Sequence, residues 1–360
     1  MSQFELLLKP AGCDCNLCCD YCFYLPKQLM FGAGEHRMSE EMLEIVVRRY
    51  FAMPMDKYVF NWQGGEPTLM GIEFFRKALQ LQQRYRPKGC EVVNILQTNG
   101  TLLDTKWCTF LKRNKFIVGI SLDGPVGFHD IHRRDRAGKG TCRTVLKAVQ
   151  LLKNADIPFS TLTLVTSDLA DKGVDVYDFL RGQGITHQHF IECVERKPDG
   201  TPCGCSLRPG QWANFLLDIF KRWIELGDVG VVSIRLFDSI MSLLTKGVPQ
   251  LCSQTCNCRQ YFVVEHNGDL FPCDFHVLPE LKLGNIMENS FSDFIDCEAY
   301  CSFGERKTTG KSDACLMCRF YALCGGDCQK NRDSEGKSLL CEDWQKFYSM
   351  SIPFFESCLS

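Results

Sequence analysis

Residues 13–22 read Cys13-Asp-Cys15-Asn-Leu-Cys18-Cys19-Asp-Tyr21-Cys22. Within this run Cys15, Cys19 and Cys22 have the spacing C-x3-C-x2-C. Three thiolates hold three irons of a 4Fe–4S cube and leave the fourth iron open to a substrate. Zinc is the competing reading: a closed tetrahedral site needs a fourth ligand, which Cys13 or Cys18 could supply. Downstream lies the turn Gly64-Gly65-Glu66-Pro67. Alone it is an ordinary strand-to-loop turn; its place after the next strand is what makes its coincidence with the three-cysteine loop notable. A second array lies far along the chain: Cys258-x9-Gly268-x4-Cys273, then Cys315-x2-Cys318-x5-Cys324-x3-Cys328, then Cys341. Thiolates in such numbers suit iron–sulfur clusters, and two zinc sites would satisfy them equally.

The elements that must position these groups alternate. Strands are predicted over Phe4–Leu8, Val59–Trp62, Val92–Leu96, Phe116–Leu122, Phe159–Val165 and His189–Val194. Helices are predicted between them over Glu40–Tyr50, Glu73–Arg84, Thr105–Arg113, Thr141–Lys153 and Lys172–Arg181. Repeated strand–helix units imply a parallel sheet, because each parallel return needs a crossover. Six strands are too few for an eight-stranded barrel, so the expected fold class is α/β, an open partial (β/α)6 barrel. The cysteine loop and the Gly-Gly-Glu-Pro turn then fall at strand C-termini, where such folds build their sites. Residues 196–206 read as a surface loop, and a helix is expected over Gln211–Leu226. From about Asp238 apolar stretches shorten and turn residues multiply. Domains are therefore expected at 1–237 and 238–360, the second organised by metal clusters more than by a large core.

Composition bounds the class. The chain has 360 residues, 45% hydrophobic and 23% charged, which is globular. A formal charge of −2 gives no basic field for nucleic acid. No apolar run approaches the roughly 18 residues of a membrane helix, and the N-terminal cluster around Leu6–Leu8 is too short for a signal-peptide core. Twenty-three cysteines in a chain of this size, with no export signal, point to metal ligands in the reducing cytoplasm, not to a disulfide scaffold.

The Cys15–Cys22 loop after the first strand and Gly64–Pro67 after the second together resemble the radical SAM superfamily. The resemblance implies S-adenosylmethionine (SAM) chelated at the open iron. Tyr21, Gly64, Gly65, Glu66, Ser121, Arg133 and the backbone of Val194 match positions that contact it. The Glu66 carboxylate is expected to pair with the methionine ammonium as a charge-assisted bond. The C-terminal cysteines resemble a SPASM domain with two auxiliary 4Fe–4S clusters, making three in all. By position the first auxiliary cluster takes Cys252, Cys258, Cys273 and Cys328, and the second Cys315, Cys318, Cys324 and Cys341. Cys256 also fits the loose spacing before Gly268; Cys258 is preferred because the run from Phe262 to Cys273 aligns without a gap.

Trp62–Leu69, Gln97–Thr101, Leu122–Pro125, Val232–Asp238 and Pro272–Phe275 narrow the resemblance to the anaerobic sulfatase-maturating enzymes, oxidoreductases that convert a sulfatase Cys or Ser to formylglycine. The implied partners are an unfolded sulfatase segment, Cys/Ser-x-Pro-x-Arg, and an electron donor such as flavodoxin or ferredoxin. The implied chemistry is reductive cleavage of SAM, hydrogen abstraction from the target Cβ by a 5′-deoxyadenosyl radical, and proton removal by a base, for which Asp274 stands at the matching position. Another SPASM peptide maturase, for example a thioether-forming one, is the alternative. Departures from the family pattern are the crowded Cys13–Cys22 loop, the Cys203-Gly-Cys205 insert and His276 in place of an aromatic.

Overall fold

The computed structural model describes residues 3–197 and 200–359. Pro198 and Asp199 of the expected 196–206 loop lie outside the described residues. The strands are β1 Glu5–Lys9, β2 Lys57–Trp62, β3 Glu91–Thr98, β4 Ile117–Ser121, β5 Phe159–Val165, β6 His187–Glu192, β7 Ser233–Ile234, β8 Tyr261–Glu265, β9 Asp269–Phe271 and β10 Gly284–Asn285. Each of the six predicted strands is present, with ends moved by two residues or fewer. The helices Glu40–Phe51, Gly71–Tyr85, Thr105–Arg113, Cys142–Asn154, Gly173–Gly182 and Gln211–Glu225 stand where they were expected. The architecture is α/β with a parallel sheet.

Contacts gather the chain into two units. The first comprises residues 1–121, 133–159 and 258–304; the second comprises 122–132, 160–257 and 305–360. In the first unit the strand order is β10-β9-β8-β1-β2-β3-β4. β8 runs parallel to β1 over five residue pairs, from Glu5↔Tyr261 to Lys9↔Glu265. Nothing in the periodicity of either segment announces this pairing. The short apolar stretch Phe262-Val-Val264 reads as part of a cluster-organised region, yet its three side chains are wholly buried beside β1.

Local signals explain the elements. Ser39 caps helix Glu40–Phe51 by accepting from the Met42 N–H, with Glu40 and Glu41 in the first turn and Arg48 and Arg49 in the last. Met42, Leu43, Val46, Val47 and Tyr50 recur at helical spacing and are buried. Asp104 caps Thr105–Arg113 in the same way, through the Trp107 N–H. The middle of strand β1, Leu6–Leu8, is an unbroken apolar run because strands covered on both faces have no polar side.

In the second unit β5, β6 and β7 pair in parallel. The C-terminal helix Cys341–Ser357 lies against helix Gln211–Glu225. Trp344 meets Trp212 edge-on at 5.9 Å and Phe347 meets Phe220 at 6.2 Å. These aromatic contacts anchor the helix that begins at Cys341.

Candidate active site

In the first unit the cysteine loop leaves the C-terminal end of β1 and docks on the turn that leaves β2. The contact is backbone to backbone: Gly65 N–H donates to Gly12 O and Glu66 N–H to Asp14 O, both at 2.8 Å. A Cβ on Gly65 would sit 1.9 Å from Asp14 O, so no other residue fits there. Gly64 has φ +125°, outside the range open to L side chains, and a Cβ there would meet Gly12 O at 2.8 Å. The two glycines of the turn are thus what two converging strand ends require.

Glu66 closes this arrangement. It is fully buried, and its carboxylate accepts from Thr68 N–H at 3.0 Å, Thr68 Oγ1 at 2.5 Å, Thr98 Oγ1 at 2.8 Å and Asn99 N–H at 2.8 Å. Burial raises its pKa against the opposing pull of these donors. Asn99 carries the connection onward. Its Nδ2 reaches Asn16 Oδ1 at 2.9 Å and Cys15 Sγ at 3.7 Å, and Leu17 N–H points to the same sulfur at 3.4 Å. Glu66 is therefore tied to the β3 end and, through Asn99, to Cys15; its oxygens are engaged by the chain's own donors.

Cys15 and Cys22 are close enough to feel each other's charge, and Cys22 N–H donates to Cys19 O at 3.1 Å. Burial pushes the Cys15 thiol up to about 11. A buried thiol of this kind keeps its proton at neutral pH and is a poor free nucleophile. The segment 133–136 clasps the same loop. Cys18 N–H donates to Arg134 O at 2.8 Å, Arg136 donates to Cys15 O at 3.0 and 2.8 Å, and the Arg133 guanidinium stands 5.4 Å from the Tyr21 ring centroid. Ser121 ends β4 and accepts from Gln97 Nε2 at 3.4 Å.

Asp274 lies in the same unit, in the turn Asp274–His276 directly after Cys273. Cys273 Sγ is 3.8 Å from its Oδ1 and Lys9 Nζ is 3.7 Å from its Oδ2. Lys9 ends β1 and is 1% exposed, so its ammonium has left water for this partner. The same nitrogen stands 4.4 Å from the Tyr24 ring centroid, and the Tyr24 hydroxyl donates to the buried Glu265 of β8. Burial, then Glu265, raises the Tyr24 pKa well above its ordinary value. Lys9, Tyr24 and Glu265 were not singled out from the sequence. The available signal was a lysine directly after the apolar run Leu6–Leu8, a position that demands a carboxylate neighbour. Cys258 and Cys273 both lie near Tyr300 in this unit, and the His276 ring packs edge-on against Phe303 at 5.2 Å.

In the second unit Cys315, Cys318, Cys324 and Cys341 line one cavity of about 120 Å³, together with Tyr321, Trp344 and Tyr348. The Cys324 thiol is pushed up to about 12 by burial and by Asp327. Four thiols around one cavity fit an iron–sulfur cluster, whose ligands are thiolates. Cys252 and Cys328 are neighbours in this unit too, and burial, then Asp327, raises the Cys328 pKa. Val194 follows β6 and is buried. Cys205 Sγ lies 3.9 Å from Cys193 Sγ, which gives the Cys203-Gly-Cys205 insert a place against the β6 end.

The family model described as Radical SAM superfamily matches residues 11–180, and the model described as iron–sulfur cluster-binding domain (SPASM) matches residues 252–319. A cysteine-type anaerobic sulfatase-maturating enzyme from Clostridium perfringens is 34% identical over 361 residues, spanning 98% of this chain and 97% of the relative. A serine-type anaerobic sulfatase-maturating enzyme from Bacteroides thetaiotaomicron is 33% identical over 374 residues, spanning 98% of this chain and 90% of the relative.

This chain belongs to the anaerobic sulfatase-maturating enzyme family.

A solved structure of a family member, native anSMEcpe with bound AdoMet, superposes with a TM-score of 0.91 at 33% identity, covering 99% of both chains. A second holds AdoMet and a Cp18Cys peptide, with the same TM-score and coverage. The family fold, a radical SAM domain followed by an iron–sulfur domain, is the fold of this chain. Among the described residues no helix is long and apolar enough to cross a membrane.

Proposed function

We propose that this chain is a formylglycine-forming oxidoreductase that acts on an extended Cys- or Ser-bearing sulfatase segment, with Asp274 as its base. The observation that carries the reading is the convergence, within one unit, of the Cys15–Cys22 loop, the Gly64–Glu66 turn and a carboxylate held by a buried lysine. The SAM site is assigned to Tyr21, Gly64, Gly65, Glu66, Ser121, Arg133 and Val194. Three 4Fe–4S clusters are assigned to the eleven cysteines named from the sequence. Domain limits at 1–237 and 238–360, a low-potential flavodoxin or ferredoxin as donor, and a cytoplasmic location belong to the same proposal.

When bound, the cluster and SAM supply the electron and the hydrogen-abstracting radical; the chain supplies position and proton transfer. Net oxidation removes two hydrogens from the target side chain. A serine becomes the aldehyde directly; a cysteine becomes the thioaldehyde, which exchanges sulfur for oxygen with water. Asp274 takes the thiol or hydroxyl proton. Its backbone follows Cys273, and Lys9 fixes one carboxylate oxygen, so the base is anchored on both sides. A carboxylate is a weak base for a thiol of pKa about 8.5, so deprotonation must accompany electron loss from the substrate.

The test is the mass change of a Cys-x-Pro-x-Arg peptide and of its Ser counterpart, incubated with reconstituted enzyme, SAM and reductant. Conversion to the aldehyde is expected for at least one. Asp274→Asn is expected to retain its iron and to keep releasing 5′-deoxyadenosine while aldehyde formation falls at least a hundredfold, as roughly expected for loss of a general base. A peptide that instead gains an intramolecular thioether overturns the formylglycine reading; full turnover by the Asn variant removes Asp274 from it.

A further inference from the structure

Just ahead of Cys15 the loop carries a second donor set that the proposed cluster leaves unused. Cys13 Sγ lies 3.8 Å from His36 Nδ1, and that nitrogen lies 2.7 Å from Asp14 Oδ1. One donor atom from each residue falls within 4.8 Å of the other two. Cys13 and His36 are each 4% exposed. A second histidine stands beside the group. The His266 ring meets the His36 ring at 4.9 Å and 75°. Its Nδ1 is buried without a hydrogen-bond partner, 3.9 Å from an equally unpartnered Oε2 of Glu265. Gly12, next to Cys13, has room for no side chain: a Cβ would come within 2.8 Å of both His266 Nδ1 and His36 Cβ. The missing side chain is what lets the two imidazoles close on the loop.

We propose that Cys13, Asp14, His36 and His266 bind a divalent cation of the zinc class, distinct from the iron–sulfur clusters. The donor set is one thiolate, two imidazoles and one carboxylate, borderline in softness, which suits zinc better than calcium or magnesium. A tetrahedral centre with ordinary zinc bond lengths puts sulfur and nitrogen ligands about 3.6 Å apart, against the 3.8 Å between Cys13 Sγ and His36 Nδ1. The 2.7 Å between His36 and Asp14 is a hydrogen-bond length; the cation takes the place of the shared proton, and the pair opens to admit it. Asp14 is already oriented for this. Its Oδ2 accepts from His36 N–H at 2.9 Å and from Arg37, which leaves Oδ1 facing the imidazole. Binding releases the Cys13 thiol proton and the His36–Asp14 proton to solvent. The cation would tie residues 12–14, whose carbonyls receive the Gly65 and Glu66 N–H groups, to residue 36 and to the end of β8. It would act as a staple beneath the cluster loop.

The experiment saturates reconstituted, iron-loaded enzyme with Zn2+, removes excess by gel filtration, and measures zinc, iron and sulfide with zinc-edge X-ray absorption. The expected result is about one zinc per chain with iron unchanged. The zinc should have one sulfur neighbour near 2.3 Å and the rest nitrogen or oxygen at about 2.0–2.1 Å. Cys13→Ser and His36→Gln should each lower retained zinc at least tenfold while iron and sulfide stay at wild-type levels. Should either variant lose its iron, His266→Gln, at the rim of the group, gives the same reading. Zinc surrounded mainly by sulfur would mean occupation of cluster cysteines and overturn the proposal. So would absence of zinc from wild type, or its full retention in iron-replete variants.

Discussion

Replacing Glu66 separates two roles for the Gly-Gly-Glu-Pro turn. If its carboxylate mainly paired with the SAM ammonium, Glu66→Ala would weaken SAM and leave the fold alone. The structure leads to a different expectation, because four donors of the chain itself occupy the carboxylate. Two are hydroxyls that can turn to other acceptors. The other two, Thr68 N–H and Asn99 N–H, cannot turn, and each buried orphan costs about 1–3 kcal/mol. Glu66→Ala should therefore destabilise the first unit by about 2–6 kcal/mol. Glu66→Gln should cost about 1–3 kcal/mol, since its amide oxygen can keep the three bonds now made to Oε1 while its NH2 faces the Asn99 N–H. Denaturant midpoints of the reconstituted enzyme, followed by near-ultraviolet circular dichroism, check the order wild type, Gln, Ala. SAM affinity measured on folded protein should fall with the same ranking, because the turn loses its tie to Asn99. A Glu66→Ala variant with the wild-type midpoint would refute the reasoning, and unchanged SAM affinity as well would remove the turn from the SAM site.

Other outcomes follow from the same geometry. Replacing Cys15, Cys19 and Cys22 together with Ala should remove about a third of the iron and sulfide, four of each per cube, and abolish SAM cleavage; retention of cleavage refutes the ligand set. Cys318→Ala opens the four-thiol cavity, so limited proteolysis should cut the segment around residues 311–341 in the variant before wild type is touched; equal resistance counts against a cluster there. His189 has its pKa lowered to about 4 by burial, then by Arg235. Folding keeps this ring neutral, so its contribution to stability is complete above the ordinary histidine value and is lost as pH falls through that range toward 4. His189→Gln should flatten the decline in denaturant midpoint between pH 7 and pH 5; a decline as steep as wild type would refute the assignment.

The sequence by itself determined the repeating strand–helix order, the three-cysteine loop, the double glycine and the family resemblance. These are legible because their physical causes are local. Period and caps define helices such as Glu40–Phe51, ligand spacing defines the cysteine loop, and a backbone that must approach another backbone admits only glycine. Cys315, Cys318, Cys324 and Cys341 were also readable as a group, and they line one cavity. What only the tertiary structure decided depends on partners distant in sequence. Residues 258–304 supply β8 beside β1, a pairing across more than 250 residues that no periodicity announces. That pairing brings Glu265 to Tyr24, and the turn beyond β9 brings Asp274 to Lys9, giving a buried ammonium its counter-charge. It also sets His266 against His36, two residues far apart in the chain. The Glu66 carboxylate shows the same division: its residue type and the Thr68 donors two residues on belong to the motif, but Thr98 and Asn99 come from the end of β3, and only folding brings them there.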